Sequence, residues 1–192
     1  MPESECEIEM KFKTTAINGA YIMDIEKIGD ERGFFGRVFC RREFEAYGID
    51  LKIQQANIGF SQFRGTLRGL HYQVPPYGEA KFVRCTAGGL FDVILDLRPA
   101  SPTFKQWLGV ELTAENSSML YVPEGCAHGY LTLADETEIF YLVSQYYHPS
   151  AERGVRWNDP EFEIEWPIQK GLVISEKDQN WPDWQRITAT II

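Results

Sequence analysis

The sequence predicts an all-β chain, a sandwich or barrel of many short strands with few and short helices. Three observations carry this. Segments rich in β-branched and aromatic residues recur at short spacing, turn-forming residues separate them, and long helical periodicity is rare. Strands are expected over residues 20–25, 81–86, 90–97, 107–112, 119–122 and 138–147. The turns between them are signalled by Gly88-Gly89, Pro99-Ala100-Ser101-Pro102, Glu115-Asn116, Glu124-Gly125 and Ala134-Asp135. Residues 41–47, closed by Gly48, form the best short helix, and the C-terminal region offers a second. The polar stretch through Thr15 reads either as a tail or as an arm that pairs with a partner subunit. One domain over residues 1–192 is expected, with its core at 21–182 and residues 1–20 as the arm.

A chain of 192 residues suits one sizeable core. With 44% hydrophobic and 14% aromatic residues, disorder is excluded. No apolar run approaches the roughly 18 residues of a membrane helix. The first fifteen residues lack an apolar signal segment, so a cytoplasmic enzyme without a membrane partner is expected. A net charge of −9 argues against nucleic acid as a partner. It still allows an anion to be held where arginines and lysines converge on a cleft. Cys6, Cys40, Cys85 and Cys126 form no Cys-x-x-Cys pair and read as free core thiols.

Pro123-Glu124-Gly125-Cys126-Ala127-His128 contains Pro-x-Gly-x-x-His, which resembles the second cupin motif, where the His binds a metal. The first cupin motif reads His-x-His and then a Glu, which six residues separate from a Gly. Here the run is His71-Tyr72-Gln73, and counting back from Gly88 puts Lys81 at the carboxylate position. A protonated lysine cannot ligate a cation, so the metal set is broken at two places. The remaining histidine, His148, falls in an expected loop. His71 alone reads equally well as a core histidine. Together with Lys81 and His128, at positions that face the cavity in cupins, it suggests acid/base chemistry on a carbonyl.

Further blocks carry a resemblance. They are Asp30-Glu31-Arg32-Gly33-Phe34-Phe35, Gln55-Ala56-Asn57 and Gly65-Thr66-Leu67-Arg68-Gly69-Leu70-His71-Tyr72-Gln73, then Lys81-Phe82-Val83, Phe91-Asp92-Val93-Ile94-Leu95-Asp96-Leu97-Arg98 and Ser101-Pro102-Thr103-Phe104. The C-terminal half adds Pro123 through Tyr130, Gly154-Val155-Arg156-Trp157-Asn158-Asp159-Pro160 and Ser175-Glu176-Lys177-Asp178. In this order, over residues 21–182, the chain closely resembles the dTDP-4-dehydrorhamnose 3,5-epimerase family. The resemblance implies a homodimeric, cupin-type jelly roll (a double-stranded β-helix) that needs no cofactor. The implied substrate is a nucleotide-linked 4-keto-6-deoxy sugar, inverted at carbons 3 and 5, or at carbon 3 alone as in some relatives.

Such inversion needs a base on one face of the sugar, a donor for the enolate oxygen and an acid on the other face. By the resemblance, His71 is the base and Asp178 its orienting carboxylate. Lys81 faces the enolate, and Tyr141 is the acid. Arg68 and His128 match diphosphate contacts, and Arg32 reaches the nucleotide end. Gln55 and Asn57 match residues near the nucleotide, and Tyr147 the ring that stacks on its base. Glu152 and Lys177 match further substrate contacts. Taken alone, Asp178 reads as a surface carboxylate and Tyr141 as a core or interface ring. Arg37 stands where the family often has Glu, a charge reversal at the nucleotide or diphosphate end. Gly59 replaces a common Ser, and one extra residue lies between Asn57 and Arg68. The catalytic set is intact.

Three other readings compete: a carbon-3-only epimerase of a dTDP- or CDP-linked deoxysugar, a sugar-nucleotide-binding cupin without turnover, and a metal-dependent cupin. The presence of both His71 and Tyr141 disfavours the second.

Overall fold

A computed structural model describes residues 8–184 of the chain. Its strands run β1 (Met10–Thr14), β2 (Tyr21–Ile25), β3 (Ile28–Asp30) and β4 (Gly33–Phe35), followed by helix α1 (Arg41–Ala46). Then come β5 (Gln55–Ser61), β6 (Thr66–Gln73), β7 (Lys81–Ala87), β8 (Gly89–Asp96) and β9 (Trp107–Thr113). The C-terminal part holds β10 (Met119–Val122), β11 (Cys126–Thr132), β12 (Thr137–Val143), β13 (Glu152–Gly154), β14 (Val173–Ile174) and helix α2 (Glu176–Gln179). One sheet has the order β1-β2-β10-β7-β12-β5 and the other β13-β6-β11-β8-β9, with β14 parallel to β6. The β3–β4 hairpin is a sheet of its own. This is the all-β jelly roll that the sequence predicts.

The core lies in three layers. Between the sheets, Val83, Cys85 and Ile139 of the first meet Leu90, Ile94, Leu112 and Tyr130 of the second. Outside the second sheet, Val93, Leu95 and Leu131 pack under Val155, Phe162 and Trp166. β8 is therefore packed on both faces, which explains why its apolar residues do not alternate with polar ones. Outside the first sheet, Phe44 of α1 packs with Phe82 and Met119. A six-residue helix has no stability of its own, so α1 is held by this buried ring.

Three expectations are corrected. Residues before Tyr21 are not outside the core: β1 pairs with β2 over five positions, and Ile17 and Ala20 are buried between the sheets. Alternating apolar positions had too short a run there to be read as a strand. Cys40 is only partly buried, whereas Cys85 and Cys126 are buried free thiols; Cys6 lies outside the described residues. The strand expected over 138–147 ends at Val143, which leaves Tyr147 in a loop. No helix among the described residues is long and apolar enough to cross a membrane.

One irregularity positions the site. β11 pairs with β6 at His128↔His71 and at Tyr130↔Arg68, so two residues, Gly69 and Leu70, oppose Gly129 alone. Regular alternation would put Arg68 and His71 on opposite faces of the sheet. The bulge turns both inward. It requires glycine: a Cβ on Gly69 would lie 2.6 Å from the Gly129 Cα, at a φ of +111°.

Candidate active site

A cavity of about 800 Å³ opens between the sheets, with Arg68, His71, Lys81, His128, Tyr141, Lys177 and Asp178 in its wall. A second, of about 440 Å³, is lined by Gln55, Asn57, Glu79, Tyr147 and Glu152. His71, Lys81 and Tyr141 line both, so the two are parts of one trough that meets at these three side chains. The sheets contribute from opposite sides: His71 comes from β6 in the second, Lys81 and Tyr141 from β7 and β12 in the first.

His71 Nε2 lies 2.6 Å from Asp178 Oδ1. Asp178 sits in α2, whose N-cap Ser175 accepts a hydrogen bond from the Asp178 N–H at 3.1 Å. The Gly69 N–H donates to its Oδ2 at 3.2 Å, and the Trp181 indole to Oδ1 at 3.4 Å. Burial disfavours the charged carboxylate, but the bond and charge of His71, with the bonds from Gly69 and Ser175, hold its pKa below the ordinary value. Asp178 thus fixes one ring nitrogen of His71 and leaves the other to take a proton. Trp181 lies in a cradle made by Gly154 and meets the His71 ring edge-on, centroids 6.3 Å apart.

Lys81 Nζ is 3.2 Å from Glu79 and 3.4 Å from the His71 carbonyl oxygen. Burial pushes the Tyr141 phenol up, the Glu79 charge adds to this and Arg68 opposes it, so Tyr141 is a protonated donor at neutral pH. His128 Nε2 pairs with Asp92 Oδ1 at 2.5 Å, deep in the second sheet. Arg68 is anchored to β5 through the Phe60 carbonyl at 3.1 Å. At the rim, Glu152 accepts from Tyr147 Oη at 2.7 Å and from Lys177 Nζ at 2.6 Å. Burial works against its charge, and these two donors outweigh it, so its pKa is lowered.

At the two broken cupin ligand positions, both side chains are engaged. The Gln73 amide donates to Tyr77 O at 3.0 Å and Tyr146 O at 3.2 Å, and its Oε1 accepts from His148 N at 2.6 Å. Lys81 is paired with Glu79. Among the described residues no three His, Cys, Asp or Glu side chains group as a metal site.

The trough gathers eleven of the thirteen site residues expected from the sequence. Arg32 and Arg37 are not brought to it. Arg32 is exposed at the β3–β4 turn and paired with Asp30. Arg37 is tied to the Ile8 carbonyl at 2.6 Å and to Glu43 at 3.2 Å. Three residues were missed. Asp92 shows itself as an acid inside the apolar run of β8, and Glu79 as an acid two residues before the key lysine. Trp181 carries no sequence signal.

The chain matches the family model described as dTDP-4-dehydrorhamnose 3,5-epimerase over residues 14–186. It is 46% identical over 167 residues to a dTDP-4-dehydrorhamnose 3,5-epimerase of Shigella flexneri, covering 86% of this chain and 91% of that one. It is 38% identical over 172 residues to a dTDP-4-dehydrorhamnose 3-epimerase of Streptomyces niveus, covering 89% and 82%. A crystal structure of dTDP-6-deoxy-D-glucose-3,5-epimerase from Legionella pneumophila, in complex with dTDP-4-keto-L-rhamnose, superimposes with a TM-score of 0.88 at 38% identity, covering 96% of this chain and 97% of that one. By sequence and by fold, the chain belongs to the dTDP-4-dehydrorhamnose 3,5-epimerase family.

Proposed function

We propose that the protein inverts carbons 3 and 5 of a dTDP-linked 4-keto-6-deoxy hexose for deoxysugar biosynthesis, by proton removal and return through an enolate. One observation carries this reading: His71, backed by Asp178, and Tyr141 enter one trough from opposite sheets, and Lys81 lines the same part of it. His71 takes the proton from the carbon beside the ketone. The C–H electron pair becomes the carbon–carbon double bond of the enolate, and the carbonyl electrons move onto oxygen, where the Lys81 ammonium meets the charge. Tyr141 then returns a proton to the opposite face. Solvent exchange restores His71 and Tyr141, so nothing is consumed.

The rim of Tyr147, Glu152 and Lys177 spans both cavities and suits the nucleoside, with Tyr147 stacking on the base and Gln55 and Asn57 beside it. From there the diphosphate leads inward past Lys177 toward Arg68 and His128. Arg32 fits this scheme from a second copy of the chain. Its hairpin stands off both large sheets with Ile28, Phe34 and Phe35 exposed, and the outer face of β5 exposes Ile58 and Phe60. A homodimer would bury these surfaces together.

The test is incubation with dTDP-, CDP- and GDP-linked 4-keto-6-deoxy sugars in deuterium oxide, followed by NMR, with and without chelator. Deuterium should enter carbons 3 and 5 of the dTDP sugar with inversion, and chelator should not change the rate, because Gln73 and Lys81 replace metal ligands. No exchange with any substrate would sink the reading. The likeness to the 3-epimerase of Streptomyces niveus favours one second reading, exchange at carbon 3 alone.

A further inference from the structure

Glu79 has no role in the chemistry above, yet its carboxylate is placed as closely as the catalytic groups. Ala80, between Glu79 and Lys81, is tied to Ser144 by its N–H at 2.8 Å and its carbonyl at 3.0 Å. That keeps the segment extended, so the side chains of Glu79 and Lys81 leave it on the same side. Glu79 Oε1 lies 3.2 Å from Lys81 Nζ, with both side chains nearly buried at 13% and 10% exposure. The other oxygen, Oε2, accepts from the Gln73 amide at 3.4 Å. Among the described residues Lys81 makes no second ion pair. A lysine on a long flexible stem has no preferred direction unless a partner supplies one. An ammonium drawn out of water also needs a nearby counter-charge.

We propose that Glu79 is a positioning residue of this epimerisation, which aims the Lys81 ammonium at the meeting point of the two cavities and acts on the substrate only through its neighbours. The proposal rests on the reading of Lys81 as the group that meets the enolate oxygen. It gives Gln73 a purpose as well: at the vacated metal-ligand position, its amide links Glu79 to the 144–148 segment that carries Tyr147.

The charge of Glu79 also reaches Tyr141. The titratable and charged groups around that phenol are Arg68, His71, Lys81, His128, Tyr130, Lys177 and Asp178 in the larger cavity, and Tyr72, Glu79, Tyr147 and Glu152 in the smaller. Burial first, and then Glu79, raise the Tyr141 pKa; Arg68 lowers it. Removing the negative charge lets the phenol ionise at lower pH, so the alkaline limb of the rate profile must move down.

The test compares Glu79→Gln, which keeps the reach and loses the charge, with Glu79→Asp, which keeps the charge and loses reach. Glu79→Gln should lower kcat roughly 10- to 100-fold, the range that misplacing a reacting group produces. KM should stay near the wild-type value, and the alkaline limb should shift to lower pH. Glu79→Asp should lose kcat and keep the wild-type limb. An unchanged kcat and profile in Glu79→Gln overturns the proposal. A rise in KM alone makes Glu79 a substrate contact and overturns it too. So does a loss of kcat that follows a fall in Tm with the limb unmoved. Wild-type protein that exchanges no substrate proton would instead refute the epimerase reading itself.

Discussion

In the proposed mechanism His71 and Tyr141 divide the chemistry, and they come from different sheets and share one trough. His71→Ala should abolish both solvent exchange and epimerisation, by at least the roughly 100- to 10,000-fold that loss of a general base costs. Tyr141→Phe should behave differently. The enolate still forms on the His71 side, so deuterium enters with retention and exchange outlasts inversion. NMR of both variants in deuterium oxide reads this directly. Wild-type exchange in His71→Ala, or normal inversion in Tyr141→Phe, would show the roles to be misassigned. His71, Lys81 and His128 were legible from the cupin spacing alone, because short-range register places them. Asp178 was legible only through the family resemblance. It is 107 positions from His71, and no local pattern reports a contact at that separation.

At the scale of elements, the site depends on two close approaches that only small residues permit. One is the bulge at Gly69 and Leu70, which brings Arg68 and His71 to the same face. The other joins β13 to the segment after α2. A Cβ on Gly154 would lie 2.0 Å from Cε2 of Trp181, in the middle of the indole. Gly154→Ala should therefore push Trp181 off its seat beside His71 and Asp178. Overpacking of this kind costs typically about 1–3 kcal/mol. A fall in Tm together with reduced kcat is expected, and Trp181→Leu in the same chain should relieve part of it, since contacting residues do not act additively. Urea unfolding and steady-state kinetics on the single and double variants measure this. Full additivity would mean that the indole and Gly154 act independently. The glycines were visible in the sequence, but alternation across β6 was the wrong guide there, because a bulge leaves no mark on the residue pattern.

At the scale of the molecule, the exposed β3–β4 hairpin asks for a partner surface. Sedimentation at micromolar concentration should show a homodimer, and a monomer would count against it. If Arg32 serves the partner's trough, Arg32→Ala and His71→Ala chains should complement each other. Each is impaired alone, while a mixed dimer rebuilds one site with His71 from one chain and Arg32 from the other. Activity that rises on mixing, after subunit exchange, checks this. A mixture no more active than the average of its parents would place Arg32 outside the site.

The sequence by itself determined the fold class, because strand-forming segments and turn residues are local signals that repeat along the chain. It also showed the change in the cupin ligand positions, since Gln73 is read from the His-x-His run and Lys81 by counting back from Gly88. Only the tertiary structure decided what those two residues do instead. Lys81 needs Glu79 because burial leaves a charge no water to lean on, and Gln73 reaches Tyr146 and His148 across the sheet. Only the tertiary structure, too, separated Arg32 and Arg37 from the trough. Arg32 pairs with Asp30 two residues away in the same hairpin, while Glu43 and the Ile8 carbonyl reach Arg37 through the packing of α1 and the N-terminal segment. Packing of that kind is set by many weak contacts at once, and no single motif encodes it.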